Sequence, residues 1–167
     1  MSLDSDIARI ALQEQRLRFD QFNEETAWDL GHVIREEATQ RKTPVAIEIR
    51  LHGRPLFFYA MAGTTADHPE WTRRKGNVTL RYFKSSYGYG RDLLKKGQTL
   101  GPERGIDPLN FAPHGGSFPV HVRGTGVIGA VTVSGPPQRE DHNLITAALC
   151  RFLGEKPEEL MLGPEEA

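Results

Sequence analysis

Residues 122–135 read VRGTGVIGAVTVSG, and the fold turns on what flanks these glycines. Gly124, Gly126 and Gly129 stand at the Gly-x-Gly-x-x-Gly spacing of a dinucleotide-binding loop. That loop needs a strand before the first glycine and a helix opening at the third, because the pyrophosphate sits on the helix N-terminus. Here Gly129 leads into AVTVSG, which is β-branched and alternating, and then into Pro136 and Pro137. A strand follows, not a helix. Arg123 to Gly126 therefore reads as the turn of a β-hairpin, where glycine supplies positive φ angles. The chain is not expected to bind NAD.

The hairpin joins strands FPVHV and VIGAVTV, and a last helix follows SGPPQ, runs to about Leu153 and stops at Gly154. Upstream lies a second hairpin. VAIEIRL alternates, with Val45, Ile47, Ile49 and Leu51 on one side and Glu48 and Arg50 on the other. HGR turns around Gly53, and PLFFYAMAG returns, apolar on both faces and so read as an inner strand. Helices are expected from about Asp6 to Arg18, and from the N-cap Asn23 to before Pro44. Two more are expected, around Pro69 to Phe83 and after the cap at Ser85 or Ser86 up to Gly97. QTLGPERGIDPLNFAPHGG is a long loop of the kind that often carries function. The reading is α+β: one antiparallel sheet of four to five strands, flanked by helices. It is one domain over residues 1–167, with an N-terminal helix within 1–22 and a loose acidic tail at 155–167.

Composition narrows the function classes. With 21 basic and 22 acidic residues and a net charge of -1, no bulk field draws in nucleic acid or an anionic membrane. No apolar run is long enough to span a bilayer, and the N-terminus lacks the apolar stretch of a signal peptide. The single cysteine, Cys150, excludes an internal disulfide and a cysteine-based zinc site. A cytoplasmic protein is expected.

Residues 113–149, PHGGSFPVHVRGTGVIGAVTVSGPPQREDHNLITAAL, resemble the signature of the GlcG/HbpS-like superfamily: a GG-x-P strand, an IGA-x-x-VSG strand and an Asp-led helix. WTRRKGNVTLRYFKSS, residues 71–86, matches as well. The chain is similar to the heme-degrading-domain branch that includes yeast relatives. The resemblance implies a profilin-like layered domain and a homo-oligomer, from dimers upward. It implies function only loosely. Some members bind heme, one group is fused to corrinoid adenosyltransferases, and the yeast relatives are linked to tail-anchored-protein handling. The family label is not evidence of activity.

On the third helix Trp71, Lys75, Val78 and Tyr82 form one stripe, with Thr72, Gly76, Leu80 and Phe83 as a second. Lys75 thus falls between two aromatics, flanked by Arg74 and Arg81. Two readings stand: an anion subsite with Trp71 or Tyr82 as a stacking wall, or a lysine whose stem covers the core while its ammonium reaches water. Asp141 projects from the start of the last helix toward the buried side formed by Leu144, Ile145, Ala148, Leu149 and Phe152. It is either a first-turn acid on the helix dipole or a partner for Lys75 or Arg74. Cys150 falls on the opposite side of that helix. Among six histidines no ligand spacing occurs; His114 and His121 bracket the GG strand, and His142 follows Asp141. The candidate ligand-binding set is Trp71, Arg74, Lys75, Tyr82, Asp141 and His142. There is no catalytic triad, nucleophile elbow or phosphate loop. The leading expectation is a non-catalytic module for a small anionic ligand, heme being a candidate. A protein-interaction scaffold and an enzyme of undefined reaction are the alternatives.

Overall fold

The computed structural model describes residues 1–166. Helix α1 (Leu3–Arg16) starts where the Ser2 hydroxyl accepts from Ser5 N. Helix α2 (Glu24–Gln40) is opened by a capping box between Asn23 and Thr26. Strands β1 (Ala46–Leu51) and β2 (Arg54–Ala60) form the first hairpin. Helices α3 (Asp67–Tyr82) and α4 (Ser86–Lys95) follow, the second capped by the Ser85 hydroxyl on Gly88 N at 3.1 Å. After the long loop come β3 (Ser117–Val122), β4 (Gly126–Ser134), α5 (Gln138–Leu153) and the single turn α6 (Pro157–Leu160). The glycine-rich stretch is the β3–β4 turn. Gly124 and Gly126 take φ of 78° and 107°, and α5 opens only at Gln138.

The sheet is antiparallel throughout, in the order β2-β1-β4-β3. Its two faces differ in chemistry. Ile47 and Ile49 pair with Val133 and Val131 and, with Phe118 and Val120, meet α2 and α5 in the apolar core. The alternate residues Glu48, Arg50, Thr132 and Ser117 face α3, which answers with Thr72, Lys75, Gly76 and Thr79. Gly76 lets α3 ride close on the sheet: a Cβ there would lie 2.8 Å from the Arg50 guanidinium, which donates to Asn77 at 2.7 Å.

Four expectations are corrected. PLFFYAMAG is the edge strand, not an inner one. Phe57 packs over Gly31 on the α2 side, while Phe58 and Tyr59 stay 48% and 38% exposed. The opposite edge is covered at its end, where Phe19 bridges Val122 and Phe19 N donates to His121 O at 2.8 Å. Cys150 is buried on the core side, since α2 and the tail together cover α5 nearly all round. Phe83 leaves the stripe: it ends α3 with φ 56° and is exposed. The acidic tail is docked. Leu160 and Leu162 are buried, and the Leu160 carbonyl accepts from Gln13 Nε2 at 2.7 Å.

Candidate functional site

The third turn of α3 and the first turn of α5 meet above the end of β4. There Lys75 Nζ lies 2.7 Å from Asp141 Oδ2 and 3.3 Å from the Val133 carbonyl. Lys75 is 3% exposed and Asp141 1%. The ammonium does not reach water, and Asp141 does not cap its helix. Each satisfies the other, because an unpaired charge at such depth is costly. Two glycines admit this approach. Gly115 runs against the Gln138 carbonyl, and Gly116, at φ 130°, lies where a Cβ would meet the Val133 carbonyl and sit 2.9 Å from Lys75 Nζ.

A pocket of about 190 Å³ opens over the pair, walled by Trp71, His114, Gly135 and Pro136. Trp71 donates from Nε1 to Asp67 at 3.0 Å and meets the His114 ring edge-on at 5.4 Å. Burial pushes the Asp141 carboxyl up to about 6, with Lys75 pulling the other way. Burial also lowers Lys75, against the pull of Asp141. Histidines aside, the lining holds one cation, Lys75, against two carboxylates, Asp67 and Asp141. It is no anion subsite on its own.

The cation lies next door. A larger cleft of about 440 Å³ runs between α3, α4 and the long loop, with Arg74 and Arg91 on its wall and Leu93, Leu100 and Phe111 as apolar lining. His114 and Gln138 line both cavities. Arg74 stacks over the Trp71 ring at 4.8 Å and donates to the Pro108 carbonyl at 3.2 Å. Its Nε is buried without a partner, and among the described residues no carboxylate pairs with it. Arg91, by contrast, is held by Asp6 and Glu165.

Two of the six candidates stand elsewhere. Tyr82 stacks on Tyr89 at 3.9 Å, beyond either cavity, because the α3 stripe turns outward over its last turn. His142 is 0% exposed and faces α1, with Nε2 2.8 Å from Gln13 Oε1 and its ring against Tyr87. Burial, reinforced by Arg139, pushes it down to about 3. It is a neutral core histidine. Sequence reasoning named His114 but left it out of the candidate set, and it did not single out Gln138 or Gly135. The PHGG stretch was visible, but nothing in its spacing tells a pocket histidine from a surface one.

The family model described as haem degrading protein HbpS-like matches residues 22–150. The chain belongs to this family. A UPF0303 protein of Rhizobium etli is 50% identical over 164 residues, covering 98% of this chain and 99% of the relative. Among solved structures, that of the Ybr137w protein aligns with a TM-score of 0.79 at 30% identity, over 89% of this chain and 87% of the other. The PduOC:heme complex aligns at 0.66 and 20% identity, over 77% and 93%, which speaks for the fold alone. The HbpS-like family and its α+β layered fold are thus those that residues 113–149 resemble.

Proposed function

We propose that this HbpS-like chain is a cytoplasmic, non-catalytic binding protein for a small anionic ligand with an apolar body, seated in the larger cleft. One observation carries this: Arg74, a cation half-buried in the cleft wall, with a buried unpartnered Nε and no acid of its own. Heme is the ligand to test first. One solved relative in fold is a heme complex, and the residues of the cleft suit the group. Leu93, Leu100 and Phe111 offer an apolar wall, and Arg74 a partner for a propionate. Burial, with the neighbouring charges of Lys75 and Arg74, lowers the His114 imidazole below its ordinary value and so favours the neutral form. When bound, heme supplies an iron that takes one such nitrogen.

Hemin titration followed in the Soret region tests this. The expected result is saturable binding that weakens about tenfold or more in Arg74→Gln, the scale of one charge-assisted hydrogen bond. Unchanged hemin spectra, or an Arg74→Gln variant binding like the wild type, would sink it.

A second reading, an interaction scaffold that self-associates, draws on the open edge. Tyr59 and the exposed Trp28 lie on the α2 side of β2, with Phe58 on the other. An uncovered edge strand carrying aromatics invites pairing. Light scattering showing only monomer at micromolar concentration removes this reading and leaves the first in place.

A further inference from the structure

The pocket over Lys75 and Asp141 has a recognition chemistry of its own. Lys75 Nζ carries three N–H groups; Asp141 and the Val133 carbonyl accept two, leaving one. Asp141 Oδ2 accepts from Lys75 and from Gly135 N at 3.4 Å. Asp141 Oδ1 is fully buried and has no donor among the described residues, in a side chain that lines the pocket floor. A buried carboxylate oxygen left without a donor costs about 1–3 kcal/mol or more, so it marks where a donor from outside is worth most. The floor therefore offers one donor beside one acceptor.

The charge balance selects the ligand class further. With Asp67 and Asp141 set against Lys75, a carboxylate or phosphate would meet net negative charge. An ammonium would meet Lys75. A neutral group with a C=O and an N–H side by side suits both atoms. Trp71 and His114 stand edge to face as flat walls, and about 190 Å³ is several times the share of one water.

We infer that the pocket formed by Trp71, Lys75, His114, Gly135 and Asp141 binds a neutral amide edge, a lactam or a primary carboxamide. Its carbonyl accepts from Lys75 Nζ and its N–H donates to Asp141 Oδ1. The site adjoins the Arg74 cleft, with His114 and Gln138 in the wall between them, and does not rest on anion binding there.

The probes are 2-pyrrolidinone and its N-methyl derivative, which differ in the one N–H. Ligand-observed NMR titration of the wild-type protein should show 2-pyrrolidinone binding at least about tenfold more tightly, the worth of one hydrogen bond to a charged group. Asp141→Asn turns an N–H₂ toward the floor in place of the acceptor, so the preference should collapse to about one. Equal binding of the two lactams by the wild type, no binding of either, or a preference that survives in Asp141→Asn would each overturn the assignment. The wild-type comparison decides even if the variant does not fold.

Discussion

Asp141 and His142 are neighbours on α5, both buried, and they meet opposite surroundings. Asp141 sits at the floor of an open pocket with one oxygen unpartnered. His142 also keeps a buried nitrogen, Nδ1, without a partner, but it lines neither cavity and sits in a network that ties four segments together. Gln13 bridges it to the Leu160 carbonyl, and Arg139 grips Asp6 at 2.6 and 2.8 Å while also reaching Tyr87 and Gly163. One turn of helix thus supplies a pocket floor and a structural rivet. A buried polar residue becomes a site only where its hydrogen bonds stay incomplete on the side that faces a cavity.

The largest effect expected is on the pocket side. Lys75→Met keeps the stem but strips the buried Asp141 of its partner, and should cost about 3–5 kcal/mol in urea denaturation. Adding Asp141→Leu should recover most of that loss, since removing both charges of a buried pair is often neutral. A single variant within about 0.5 kcal/mol of the wild type would mean that the ammonium is solvated.

On the sealed side, Gln13→Ala should cost about 2–3 kcal/mol by the same measurement, because it strands both His142 and the Leu160 carbonyl. A smaller loss would erase the contrast.

The two residues also pull opposite ways with pH. His142 is depressed to about 3 from 6.5, so its contribution is present above 6.5 and lost as the unfolded chain takes up protons on acidification. Asp141 is raised to about 6 from 3.8, so the native state binds the proton first and gains stability as pH falls from 6 to 3.8. Relative to the wild type, Asp141→Asn should lose stability more steeply in that window and His142→Gln less steeply. Each differs by up to about 1.4 kcal/mol per pH unit. Parallel pH profiles for the two variants would break the comparison.

The smallest change is at the rim. Trp71→Phe loses a hydrogen bond to Asp67 and should shift stability by no more than about 0.5 kcal/mol, as surface sites do. A larger loss would make the rim part of the fold's support.

Much of the fold was legible in local pattern. The capping residues Asn23 and Ser85, the alternation of Val45 to Leu51 and the strand after Gly129 each have a short-range cause. Strand order was not, because PLFFYAMAG is equally apolar whether a second strand or only a helix covers it. The site was legible in part. The α3 period put Lys75 inside, but the charge that neutralises it comes from Asp141, 66 residues on. That pairing cancels the positive charge that had suggested an anion subsite and leaves Arg74, in the neighbouring cleft, without a carboxylate partner among the described residues. His142 misled because it follows Asp141 in the sequence, and adjacency says nothing of Gln13.

Cys150 gives the molecule a clock. It is the only thiol, it lies in the core, and burial with Glu155 pushes it up to about 11. A thiol-reactive dye can reach it only when the segments packed around it open, so the labelling rate at fixed pH counts openings of that core. The protein carries its own reporter for how often it opens, with no engineered probe.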